Sequence, residues 1–135
     1  MNVFDSHCHL DDPKFDEDRE EAYRRMLSAD VTRCVCVGSD LPSSERCIAL
    51  AENHPGVYAA AGVHPHEAKD APPDYRDQLE ALLKEERVVA LGEIGLDYYY
   101  DLSPREVQRR VMAQQVDLAV RLDVPVIFHI RDAQG

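Results

Sequence analysis

Val3-Phe4-Asp5-Ser6-His7-Cys8-His9-Leu10-Asp11 is the stretch on which the reading of this chain turns. An apolar pair leads into two histidines at i and i+2, and side chains alternate faces along a strand, so the two imidazoles point the same way. Such a pair at a strand end can hold one metal ion. Alone, a His-x-His is as readily two solvent-facing or core histidines, because short motifs often match by chance. This pair is not alone. Gly62-Val63-His64-Pro65-His66, Gly92-Glu93-Ile94-Gly95-Leu96-Asp97 and Phe128-His129-Ile130-Arg131-Asp132 each follow an apolar, β-branched run. Singly, Glu93 reads as a helix-start carboxylate, His129 as a satisfied core histidine, and His64 with His66 as a proline-turn pair. Jointly those readings lose, because apolar strands do not usually end in ligand-type residues four times in succession.

Outward from these motifs the chain alternates between two periods. Strands are predicted over Val3–His7, Val31–Val37, Val57–Val63, Val88–Leu91 and Val124–Phe128. Helices are predicted over Asp16–Ser28, with Ala22, Met26 and Leu27 as a narrow apolar stripe, and from Pro42-Ser43 to His54-Pro55-Gly56, bearing Cys47, Ile48, Leu50 and Ala51. A third spans Asp74–Glu86 around Leu79, Leu82 and Leu83. The fourth is expected to open at Ser103-Pro104-Arg105-Glu106, a capping-box spacing with proline at the first helical position, and to bury Val107, Val111, Leu118 and Leu122. Units of about 30 residues, strand then helix, imply a parallel sheet with right-handed crossovers.

The fold class expected is therefore α/β, a TIM-type (β/α) barrel represented by about five parallel strands and four helices. In that architecture the loops after the strands carry the active site. A doubly wound sheet is the alternative, but its ligand residues should gather at one switch point. With 135 residues, against roughly 200 or more for a closed barrel, residues 1–135 read as the amino-terminal part of a single barrel, without linker, repeat or low-complexity segment.

Composition narrows the function. The formal net charge of -11 argues against a surface that grips nucleic acid non-specifically, since such binding draws on Lys and Arg against phosphates. Any such contact must be local or metal-assisted. No apolar run is long enough to cross a bilayer, so no membrane partner is expected. The amino terminus lacks a basic region followed by an apolar one, which predicts a cytoplasmic location and reduced Cys8, Cys34, Cys36 and Cys47. Cys34-x-Cys36 lacks the two-residue gap of a zinc knuckle and lies in an apolar run, so buried small side chains are the better reading.

Neutral imidazole with carboxylate suits zinc, iron or nickel, and additional oxygen donors shift preference toward magnesium or manganese. His7, His9, Glu93 and His129 form such a mixed set. A carboxylate can bridge two ions, and Glu93 is the candidate bridge, because paired metals stabilise the attacking and leaving oxygens of a displacement.

Asp5 to Asp11, Gly62 to His66, Gly92 to Tyr99 and Pro125 to Ala133 resemble the successive signatures of the TatD family of metal-dependent deoxyribonucleases, members of the amidohydrolase-like barrel superfamily. The resemblance covers the whole chain. It implies two divalent metal ions (Mg, Mn or Zn), with His7 and His9 on one, His129 on the second and Glu93 on or between them. It further implies that His64 and Arg131 help to hold a substrate phosphate, and that DNA is hydrolysed through a metal-activated water. The family pattern continues to a further histidine and a late general-base aspartate, for which this chain has no counterpart. Two rivals follow: hydrolysis of a small amide, lactone or phosphoester by the same chemistry, and a non-catalytic truncated barrel serving as an assembly module. Open apolar edges on the first and fifth strands would favour self-association.

Overall fold

The β-branched runs pair in sequence order. The computed structural model describes residues 1–135 and contains one parallel five-stranded sheet: β1 (Val3–Cys8), β2 (Val31–Val37), β3 (Val57–Ala61), β4 (Val88–Asp97) and β5 (Val126–Arg131), in the order β1-β2-β3-β4-β5. Sequential order has no reversal point, which decides for a barrel wall over a doubly wound sheet. The connecting helices are α1 (Arg19–Ser28), α2 (Leu41–Asn53), α3 (Tyr75–Leu83) and α4 (Arg105–Leu122). No helix is long and apolar enough to cross a membrane.

The helices bury one face of the sheet in two apolar layers. In the first, α1 and α2 set Ala22, Tyr23, Met26, Cys47, Ile48 and Ala51 against Cys34 and Cys36 of β2 and Val57 and Ala59 of β3. In the second, α3 and α4 set Leu79, Leu83, Val111 and Leu118 against Ala61, Leu91 and Ile94. Cys34 and Cys36 are buried free thiols, as expected of small apolar side chains in that run, and Cys47 of α2 is buried with them. The alternate residues Val35, Val37, Ala60 and Ala90 form a smaller cluster on the opposite face.

Several boundaries differ from expectation. The first helix begins at Arg19 rather than Asp16, because Asp12 first caps a 3-10 turn (Pro13–Phe15) by accepting from the Lys14 amide. Leu27 stays exposed, and Tyr23 takes its expected place in the apolar stripe, its hydroxyl donating to the Pro55 carbonyl at 2.7 Å. α2 starts at Leu41 because Asp40 and Ser43 cap each other's amides. A second 3-10 turn, Pro65–Asp70, follows β3. At α4 the expected capping box is absent: Pro104 is the cap residue and no side chain caps the helix. Ser103 instead accepts from the Lys69 amide and donates to the His66 carbonyl, fastening the second 3-10 turn to the start of α4.

The largest difference concerns β4, which runs to Asp97 and so holds Glu93 within the strand rather than beyond its end. β5 likewise includes His129 and Arg131. The two pair as far as Asp97 and Arg131, with one register irregularity between Gly92 and Ile94. That pairing requires Gly95, whose φ is 152° and where a Cβ would collide with the His129 carbonyl.

Candidate active site

Five histidines and two carboxylates converge at the carboxyl ends of β1, β3, β4 and β5. Glu93 stands in the middle. One of its oxygens lies 3.4 Å from His7 Nε2 and the other 3.1 Å from His129 Nδ1. His7 and His9 sit side by side with ring centroids 5.1 Å apart. His9 Nδ1 lies 3.0 Å from the Val37 carbonyl, which can only accept, so this nitrogen carries the hydrogen and Nε2 keeps the lone pair. The loop beyond β1 is pinned by Arg19, which donates to the carbonyls of Leu10, Asp11 and Asp12.

On the other side, His64, His66 and His129 form an imidazole cluster, with His64 4.3 Å from His66 and 4.4 Å from His129 between ring centroids. His64 Nδ1 accepts from the His66 amide at 3.1 Å, which leaves the hydrogen on Nε2. Burial, reinforced by the neighbouring His129 and His66 rings, pushes the His64 pKa down to about 3, so it is neutral at physiological pH.

Beneath the cluster lies Asp97, with no exposed side-chain surface. Its Oδ2 accepts from His66 Nε2 at 2.9 Å and His129 Nε2 at 2.8 Å; its Oδ1 accepts from the amides of Tyr99 and Tyr100. Burial alone would raise its pKa, but the Tyr100 amide and the His129 and His66 donors outweigh it and hold the carboxyl well below the usual range. α4 supports the arrangement from outside with two fully buried glutamines. Gln108 accepts from the Asp97 amide and donates to the Asp97 and Ser103 carbonyls. One heptad on, Gln115 accepts from the Val63 amide and donates to the Val63 and Val111 carbonyls, fixing the strand end just before His64.

Arg131 is exposed and lies over the rings of Tyr99 and Tyr100, 4.2 and 4.9 Å from their centroids, and Tyr100 in turn meets His66 edge-on. An open cavity of about 300 Å³ among His9, Arg46, His64, His66 and Glu93 lies on this face.

Every residue singled out from the sequence stands on this face: His7, His9, Glu93 and His129 within one connected group, His64 beside it, and Arg131 at its margin. The motifs assign no role to His66 or Asp97, and no local pattern marks Gln108 or Gln115. The Glu93-to-Asp97 spacing was the available signal, since residues four apart on a strand share a face.

A family model described as TatD related DNase matches residues 4–135. The chain belongs to the TatD family. Its relatives include the metal-dependent hydrolase YabD of Bacillus subtilis, 40% identical over 97% of this chain and 51% of that protein. The 3'-5' ssDNA/RNA exonuclease TatD of Cronobacter sakazakii is 37% identical over 98% of this chain and 51% of its own. Among solved structures, the TatD homologue YjjV of Escherichia coli superposes with a TM-score of 0.89 at 37% identity, covering 96% of this chain and 51% of that one. The chain thus spans about half the length of the relatives it matches, and the TatD-family fold agrees with the (β/α) barrel wall described above.

The donor set fits divalent cations. The ligand atoms of His7, His9 and Glu93 lie within 4.8 Å of one another, as do those of His64, His66 and His129. Carboxylate with imidazole, with His9 oriented by the Val37 carbonyl and His66 and His129 by Asp97, is the chemistry such cations select.

Proposed function

We propose that residues 1–135 form the amino-terminal part of a single (β/α)8-type barrel, and that the whole protein is a phosphodiester hydrolase acting on DNA with two divalent ions, Mg, Mn or Zn. The observation that carries this reading is Glu93, a largely buried carboxylate with one oxygen toward His7 and the other toward His129. His7 and His9 would hold one cation, His129 the other, and Glu93 both. Bound there, the cations would supply Lewis-acid charge at a phosphoryl group and lower the pKa of water.

The protein's own groups do the rest. His64 is neutral, with its hydrogen on Nε2, so it offers a donor to a phosphate oxygen without the repulsion that a third positive charge would bring beside two cations. Arg131, braced on Tyr99 and Tyr100, presents its guanidinium at the margin for a second phosphate contact. The exposed tyrosine rings would give single-stranded bases a stacking surface that compensates for the acidic chain.

The test has two arms. Calorimetry with MnCl2 and ZnCl2 on this chain should show binding that His7→Ala and His129→Ala each weaken. Nucleotide release from end-labelled single-stranded DNA by the full-length protein should require the same metal. Turnover of a small ester or lactone with no action on DNA would select the small-molecule reading, and absence of metal binding the assembly reading. Light scattering on the isolated chain would test self-association through β1 and β5.

A further inference from the structure

We propose that Asp97 is a positioning residue that dictates which ring nitrogen of His129, and of His66, is left to bind a cation; the inference rests on the metal reading of the site given above. An ionised carboxylate can only accept hydrogen bonds. Asp97 Oδ2 lies 2.8 Å from His129 Nε2 and 2.9 Å from His66 Nε2, so both nitrogens carry hydrogen. In the neutral ring the lone pair is thereby on Nδ1. For His129 this atom faces Glu93, 3.1 Å from its carboxylate oxygen. A lone pair and a carboxylate oxygen directed at one another would suit a cation, and Asp97 ensures that the neutral ring offers that lone pair instead of a hydrogen.

Asp97 suits the task because it cannot easily do anything else. Both oxygens are saturated, Oδ1 by the Tyr99 and Tyr100 amides and Oδ2 by the two rings, and Gln108 clamps its own amide and carbonyl. The carboxylate is therefore fully partnered and has no exposed side-chain surface. A carboxylate behind a ligating imidazole fixes the tautomer and raises ligand basicity, and its loss typically lowers metal affinity about 10- to 100-fold. Here one carboxylate governs two rings on different elements, β5 and the 3-10 turn after β3.

The tautomer is directly measurable. Long-range 1H–15N spectra of the chain labelled with 15N-histidine should show Nε2–H for His66 and His129 in metal-free protein at pH 9, and retain it when ZnCl2 is added, with His129 Nδ1 shifting as zinc binds. In Asp97→Asn, the amide oxygen keeps the tyrosine amides and the NH2 group turns to the rings, which should then accept at Nε2 and carry hydrogen on Nδ1. Zinc affinity by calorimetry should fall about 10- to 100-fold. Nδ1–H on His129 in the unaltered protein, or unchanged tautomers in Asp97→Asn, overturns the proposal. If Asp97→Asn fails to fold, the spectrum of the unaltered chain still decides. Failure of zinc to bind the unaltered chain overturns the metal reading instead, and the metal-free spectrum continues to test Asp97.

Discussion

His7 and His129 stand on the two edge strands of the sheet and face the same carboxylate, yet they are held by different means. His129 is held at Nε2 by Asp97, with Nδ1 turned to Glu93, and Asp97 is itself clamped from α4. His7 meets only Glu93, at 3.4 Å, and its side chain is 37% exposed. β1 is exposed along most of its length, whereas β2, inside the sheet and richer in apolar residues, is buried from Cys34 to Val37. The half of the site on β3, β4 and β5 is thus preorganised by buried hydrogen bonds before any ligand arrives. The half on β1 owes its placement to the Val37 carbonyl under His9 and to the Arg19-pinned loop. Burial and fixity follow position in the sheet together with the local run of apolar residues.

Glu93 is the only group common to both halves, so its loss should have the largest effect. Glu93→Gln should weaken zinc binding more than about 100-fold with little change in thermal midpoint, since shape is kept and one shared negative charge is lost. Calorimetry beside a circular-dichroism melt checks both. Binding retained within a few-fold would show that the two halves bind independently.

Next comes the scaffold of the fixed half. Gln115→Leu leaves the buried Val63 amide and carbonyl without their side-chain partners, and each orphaned group costs about 1–3 kcal/mol. A loss of roughly 2–6 kcal/mol in urea unfolding is expected.

His64→Ala should sharpen the comparison by separating substrate from metal. Binding of dAMP to the zinc-loaded chain should fall about tenfold, the size of one hydrogen bond to a charged group, with zinc affinity unchanged. Metal loss equal to that of His7→Ala would instead make His64 a ligand. The smallest effect belongs to the edge. Phe128 is 54% exposed on β5, so Phe128→Ser should shift stability by less than about 0.5 kcal/mol; a large loss by the same urea method would show that the edge is packed in solution.

How much of this was legible in the sequence differs along the same division. The strand and helix alternation was readable because apolar residues repeat at period two or near 3.6, and the ligand-type residues stood out against those runs. The ends of β4 and β5 were not. Gly92, Glu93, Gly95 and Asp97 look like loop composition, and pairing with β5, with the Glu93 amide donating to the Gly38 carbonyl, keeps them extended. Gln108 and Gln115 were invisible to an apolar stripe because they are polar, although they occupy the same buried face of α4 as Val111 and Leu118. Ser103 read as a cap and proved to be a fastener, because its partners lie 34 and 37 residues away in sequence. Long-range hydrogen bonds of this kind leave no local pattern.

Gly95 carries a consequence for how the sequence can drift. The His129 carbonyl occupies the space a Cβ would take, and its backbone conformation already disfavours side chains. In a saturation library sorted for folded protein, position 95 should therefore admit a single letter, while position 128 on the adjoining strand accepts most of the alphabet. The seam that brings the site's carboxylates and imidazoles together is also where the chain has the least freedom to vary.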